Sequence, residues 1–136
     1  MKIVFISHAS SGINFFPQLE EKLVQEISAF DSEQVWVASI DDLPAAAKEA
    51  SVDADLIFVV GLFETPDFKV EAAFSKLIDV ELSSSVKILR YFDEYTSDNL
   101  SEDQLLAEKD AFADDAFALI VDSLYQSQNL NPDNHD

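Results

Sequence analysis

The apolar run ADLIFVVGLF (54–63) constrains this chain more than any other feature. Within it, DLIFVVG (55–61) shows no polar alternation, so a strand formed there has no face to give to water. Such strands belong to parallel sheets whose two faces are both covered by helices. Around this run, short dense apolar stretches alternate with stretches of helical spacing. KIVFIS (2–7) reads as a strand, followed by Pro17 at a helix start and by Leu19, Leu23, Ile27 and Phe30 on one helical face. EQVWVAS (33–39) reads as a second strand, and DDLPAAAKEA (41–50) as a short helix entered through Asp41 or Asp42 as cap. After the third strand, DFKVEAAFSKLIDVEL (67–82) predicts a helix with Val70, Ala73, Phe74, Leu77 and Val80 or Leu82 inside. SVKILRYF (85–92) is a fourth strand. A last helix, from about Ser101 to Tyr125, sets Leu105, Phe112, Ala116, Ile120 and Leu124 on one side.

Four strand-to-helix alternations predict an α/β fold of three layers, α/β/α, in which a four-stranded parallel sheet is flanked by helices. At 136 residues the chain suits one domain over 1–125, and the polar QSQNLNPDNHD (126–136) reads as a flexible tail. Hydrophobic residues make up 48% and there are 11 phenylalanines, so a packed core rather than disorder is expected. Against this core stands a surface with 27 Asp and Glu and only 8 Lys and Arg, a formal charge of −19 spread along the whole chain. Nucleic acid and anionic membranes are not expected as partners on that ground. Two readings of the acidity stay open: adaptation to concentrated salt, where a Debye length of about 3 Å screens self-repulsion, and an ordinary acidic protein. The absence of cysteine removes disulfides, thiolate zinc sites and cysteine nucleophiles. MKIVFISHAS has too short an apolar run for a secretory signal, and a cytoplasmic protein is expected.

In a parallel sheet the segments after the strands converge on one rim. Here they are SHASSGIN (7–14), VASIDDLP (37–44), GLFETPDF (61–68) and YFDEYTSD (91–98), all rich in hydroxyls and carboxylates. His8 suits stacking on a planar ligand or is a partly exposed loop histidine. Asp41 and Asp42 suit hydrogen bonds to a polyol or are helix caps. Thr65 and the amides after it suit an anion at a helix N-terminus, although Glu64 and Asp67 repel phosphate; the alternative is capping by Asp67 or Thr65. Asp93, Glu94 and Asp98 are the candidate carboxylates for Mg²⁺ or Ca²⁺, but chance clustering in so acidic a chain suffices, and neither a metal nor a cofactor is assigned. With only Gly12 and Gly61, no glycine-rich phosphate loop is available. His8 is the one histidine outside the tail, so no Ser-His-Asp set is recognisable.

Two stretches carry a family resemblance. VASIDDLP resembles the post-strand-two motif V-P-G-x-x-[DE]-[LI]-P of the lumazine synthase and archaeal riboflavin synthase superfamily, through Val37, Asp42, Leu43 and Pro44. ETPDFKVEAAFSKLIDVEL is similar to that family's G-[EA]-T-P-H-F-[DE]-x-[VI]-A-x-E-x-x-K-G-[IL], with Glu64, Thr65, Pro66, Phe68 and Lys76 in register. ADDAFALIVDSL (113–124) resembles the family's closing helix, so the similarity spans nearly the whole chain. The resemblance implies a lumazine synthase-like, flavodoxin-like fold assembled into homopentamers or larger shells, with active sites between subunits. It implies an enzyme of riboflavin biosynthesis, a transferase forming 6,7-dimethyl-8-ribityllumazine or riboflavin, with a ribityl-pyrimidine or lumazine as ligand. Position by position, His8 falls where an aromatic residue stacks on the pyrimidine. Asp41 and Asp42 fall near the ribityl-binding carboxylate, Glu64 and Thr65 near the phosphate site, and Asp67 at the catalytic histidine, with Ser39, Phe68 and Lys109 as further substrate-binding candidates.

The departures are specific. Asp67 exchanges a proton shuttle with a pKa of about 6.5 for a carboxyl group of about 3.9. The family's late phosphate-binding arginine has no counterpart, Lys109 being the nearest cation. The loop after the third strand is about three residues shorter than in typical lumazine synthases, and FKVEAAFSKL (68–77) resembles the K-V-x-A-H-E-A segment of the archaeal enzyme without its histidine. Three readings follow: an active enzyme, a catalytically lapsed homologue that keeps a shell-forming or flavin-binding role, and a TIR-like signalling domain. The last is suggested by VFISHAS (4–10) and QVWVAS (34–39) and would be tested by NAD cleavage.

Overall fold

The computed structural model describes residues 1–27, 29–96 and 100–129, excepting the side chains of 127–129. In chain order the elements are β1 (Lys2–His8), a 3-10 turn (Ala9–Ser11), α1 (Phe16–Glu26), β2 (Asp31–Val37), a second 3-10 turn (Ile40–Asp42), α2 (Leu43–Ala50), β3 (Leu56–Phe63), α3 (Phe68–Ser84), β4 (Lys87–Glu94) and α4 (Glu102–Asn129). They form two compact units. Met1–Ile13 and Ser28–Leu100 hold the sheet with α2 and α3, while Asn14–Ile27 and the chain from Ser101 onward hold α1 and α4.

The sheet is wholly parallel, in the order β2-β1-β3-β4. That is the order of the first four strands in the flavodoxin-like class of α/β folds. β3 is hydrogen-bonded on both sides, and Leu56 through Leu62 are all buried, so its unbroken apolar sequence matches a strand without an edge or a wet face. On one face Val4 and Ile6 of β1, Ile57 and Val59 of β3 and Ile88 of β4 form one cluster with Leu43 and Ala47 of α2 and Leu77 of α3. The opposite face carries an aromatic row across three strands. Phe5 meets Phe58 edge to face at 6.2 Å, and Phe58 stacks with Tyr91 at 6.1 Å.

Local chemistry sets the helix boundaries. α1 and α2 both begin with a proline in the first turn, where a missing N–H costs nothing. α3 ends at Ser85, whose left-handed backbone (φ 64°) returns its N–H to the Glu81 carbonyl at 3.1 Å. α1 stops at Glu26, earlier than its apolar spacing predicts; Ile27 is the extended C-cap and Phe30 lies beyond the helix. The chain must leave the helix there because β2 starts at Asp31, whose N–H donates to the Met1 carbonyl at 2.8 Å. In α3, Ala73 and Leu77 are buried and Val80 is half-buried, while Leu82 is 76% exposed, which settles the inward register in favour of Val80. α4 runs on to Asn129, so 126–129 are helical rather than tail, and 130–136, with His135, lie outside the described residues.

β4 leaves one side of the sheet open, and Glu81 of α3 covers part of it. Its Oε2 accepts the Ile88 N–H at 2.7 Å, and its Oε1 accepts from Arg90 Nη1 at 3.2 Å. Arg90 Nη1 also donates to the Ile88 carbonyl at 3.1 Å, so both backbone groups of Ile88 are occupied by side chains. An edge dressed this way cannot template another strand at that residue. Arg90 also lies over the Phe74 ring at 5.3 Å, and Phe74 meets Phe92 edge to face at 5.4 Å.

That aromatic chain ends on Gly61. A Cβ at this position would lie 2.8 Å from the Phe92 ring, inside van der Waals contact. Gly61→Ala is therefore expected to destabilise the protein by about 1–3 kcal/mol through overpacking, read as a lower urea midpoint at unchanged slope. Adding Phe92→Leu should recover part of that loss, and an unchanged midpoint for Gly61→Ala alone would show that the ring moves freely.

Candidate functional site

Parallel pairing in the order β2-β1-β3-β4 brings the segments after the four strands to one edge of the first unit. Hydrogen bonds between them confirm the adjacency of several members. The last residue of β1, His8, reaches β3: its Nε2 accepts the Leu62 N–H at 3.0 Å. Tyr95 donates its N–H to the Phe63 carbonyl at 2.9 Å, which carries the β4 exit alongside the β3 exit. Lys69 Nζ, in the first turn of α3, lies 3.9 Å from Asp41 Oδ2 in the turn after β2. Of the fourth segment, 97–99 and hence Asp98 lie outside the described residues.

His8 is 3% exposed, so it is neither a loop residue nor a partly exposed one. Both ring nitrogens are engaged, Nδ1 lying 2.6 Å from Ser10 Oγ. A backbone N–H can only donate, so Nε2 carries no proton and Nδ1–H donates to Ser10. Burial lowers the His8 pKa below its ordinary value, and the Leu62 N–H, which an unprotonated Nε2 alone can accept, also holds the ring neutral. The β1–β3 ladder runs from Ile3 with Leu56 to Ile6 with Val59, and the His8 ring prolongs the connection beyond it.

Asp67 is the N-cap of α3. Its Oδ1 accepts the Lys69 N–H at 2.9 Å and the Val70 N–H at 3.1 Å, satisfying two donors that the helix start leaves open. Of the two caps considered for this stretch, Asp67 is the one used. Asp42 serves the turn before α2: its Oδ2 accepts both the N–H and the hydroxyl of Ser39, each at 3.3 Å. Asp41 and Lys69 pair across the rim with both side chains about half exposed, a contact worth under about 1 kcal/mol. Glu64 and Thr65 are exposed, and Phe68, in the first turn of α3, is 74% exposed. Lys109 is on α4, in the second unit.

Two rim residues escaped the sequence reading. Tyr95 faces Glu64; burial, and then the Glu64 charge and hydrogen bond, raise the tyrosine pKa above its ordinary value. Lys69 supplies the rim's cation. Tyr95 lay within YFDEYTSD and Lys69 two places after the cap, but nothing in their spacing separates them from ordinary surface residues. A groove of ≈ 300 Å³ in the same unit lies at the opposite end of the strands, beside Lys2, Glu33, Glu49 and Asp53. Lys2 bridges Asp53 at 2.7 Å and Glu33 at 3.5 Å there, so that cluster supplies its own counter-ion. Among the described residues, no group of three or more His, Asp or Glu side chains converges as a metal site would require.

No family model matches the sequence, and no curated protein matches it. Among solved structures, the chain is similar to a phosphate-loop protein determined in solution, at 21% identity and a TM-score of 0.41, over 88% of this chain and 94% of the other. It is also similar to a flavodoxin-like domain from Synechococcus, at 15% identity and a TM-score of 0.36, over 87% of this chain and 98% of the other. Scores this low carry no functional argument, and the chain's own strand order is what assigns its class.

If Asp67 acts chiefly as a cap, Asp67→Ala should cost about 1 kcal/mol of stability while Asp67→Asn, which keeps an acceptor at the cap, stays near wild type. Urea unfolding of the three proteins distinguishes this from a carboxylate needed for its charge, for which Asn and Ala would behave alike.

Proposed function

We propose that this chain is a lumazine synthase-like protein that binds a hydroxylated heterocycle of the ribityl-pyrimidine, lumazine or flavin type at the carboxyl rim, without carrying out the condensation. One observation carries the choice against the active enzyme: Asp67, at the position the resemblance gives to a catalytic histidine, commits Oδ1 to two amides of its own helix. His8 does not replace it as a proton shuttle, since it is buried with both nitrogens engaged. The remaining rim chemistry favours a neutral polyol. Asp41, Asp42 and Glu64 are acceptors suited to sugar-alcohol hydroxyls, and Thr65 can donate or accept. Phe68, three-quarters exposed, offers an apolar surface to a flat ring. The same carboxylates repel phosphate, and Lys69 is already paired with Asp41.

Selectivity between riboflavin and its 5′-phosphate tests this reading. Flavin fluorescence titration at low ionic strength, where repulsion between exposed charges is not screened, is expected to show riboflavin binding, with the phosphorylated form roughly tenfold weaker, the equivalent of about 1.4 kcal/mol of charge repulsion. Equal affinity for both flavins, or none for riboflavin and 6,7-dimethyl-8-ribityllumazine alike, would overturn it. Formation of lumazine or riboflavin from the respective substrates would restore the enzyme. The resemblance also supports self-association into a homopentamer or shell, for which light scattering over a range of salt is the measurement; a monomer throughout removes that part of the proposal.

A further inference from the structure

The His8 ring is a device that the rim's ligand chemistry does not use. It ends β1, is buried, and joins three pieces of the first unit. Nε2 holds the Leu62 N–H of β3 at 3.0 Å, Nδ1 holds Ser10 Oγ of the following turn at 2.6 Å, and the His8 carbonyl accepts from Ser11 Oγ at 3.3 Å. Ser11 Oγ in turn accepts the Ile13 N–H at 3.3 Å, so the segment from 8 to 13 is ordered around this residue. The turn closes at Gly12, whose left-handed backbone (φ 69°) returns its N–H to the Ala9 carbonyl at 3.1 Å.

We propose that His8 is an acid-sensitive latch: as a neutral ring it ties the β1 exit to β3 through Leu62, and protonation of Nε2 releases residues 8–13 from the carboxyl rim. The chemistry of the contact requires it. The Leu62 N–H has its hydrogen towards Nε2, so a proton taken from solvent by that nitrogen would set two donors against each other with no acceptor between them. Nδ1–H is already spent on Ser10, so the charged ring has no second acceptor to turn to in place. Leaving the site both hydrates the charge and frees the backbone amide.

Among the described residues, the hydrogen-bond partners of His8 are Ser10, Ser11 and Leu62, all of them uncharged. Beside His8, β2 presents Val37 across the register, and β3 presents Gly61 and Leu62. Among the described residues, the ionisable groups at the neighbouring strand exits are Asp41 and Asp42 before α2, Glu64 and Asp67 before α3, Lys69 in α3, and Asp93, Glu94 and Tyr95 at the end of β4. Asp93 and Tyr95 are half-buried and the others are exposed, and burial is the main influence that keeps the ring uncharged. Because the folded ring gives up its proton more readily than the unfolded one, the latch contributes fully above about pH 6.5. Its contribution is lost as pH falls from there towards the lower folded value.

The test is an NMR titration of the full chain from about pH 8 to pH 5. The two histidines serve as signal and control, since His135 lies well apart in the sequence. At the upper end, the ring nitrogens of His8 should report a proton on Nδ1 and a hydrogen-bonded, unprotonated Nε2. On acidification His8 should titrate below His135, and the amides of Leu62 and residues 9–13 should shift with it in one transition. His8→Gln keeps an acceptor for Leu62 but cannot titrate, and should abolish that shared transition. Three results would each overturn the latch: a proton on Nε2 at high pH, titration of His8 with Leu62 unmoved, or persistence of the transition in His8→Gln. The first two are read on the unaltered protein and stand whether or not the variant folds.

Discussion

β3 has a partner strand on each side and buried residues on each face, and every other part of the first unit takes its position from that. A strand with no wet face must be enclosed before its apolar residues stop costing free energy, and helices crossing over the sheet are the available cover. Parallel pairing with β1 and β4 then sends all the strand exits to one rim. The rim is thus a consequence of how β3 is buried, and its polar character reflects the residues that follow each strand.

At that rim, side chains suggestive of chemistry are occupied with holding backbone. Asp67 closes the start of α3, Asp42 supports Ser39, and His8 extends the contact between β1 and β3 past the end of their ladder. Each satisfies N–H groups that parallel strands and helix starts leave open, which is the general requirement on buried or half-buried backbone. An acidic chain has many candidates for this work, and the carboxylates that remain outward give the rim its negative character. The cations are deployed differently: Lys2, Lys22, Lys69, Lys87 and Arg90 each lie in an ion pair. Arg90, tied to Glu81 and laid over Phe74, helps cover the open edge of β4.

Much of this was legible in advance because it depends on short-range pattern. The four strands, the proline-led helix starts and the placement of Ala73 and Leu77 follow from periodicity and local propensity. The end of α1 did not, since Ile27 and Phe30 keep helical spacing while the backbone turns out to reach Asp31. His8 was misjudged for a similar reason: a histidine just after an apolar run looks like the start of a loop, and only the proximity of Leu62, 54 positions away, makes it an interior residue. Tyr95 and Lys69 became rim members through contacts with Glu64 and Asp41 that no sequence interval announces.

By itself, then, the sequence determined the parallel α/β class, the convergence of four polar segments and the surplus of negative charge, because apolar periodicity, strand polarity and composition are properties of the chain read in order. Which donor each carboxylate and imidazole serves was decided by the tertiary structure. Hydrogen bonds act over about 3 Å, and residues far apart in the chain come within that distance only when strands and helices have been packed together.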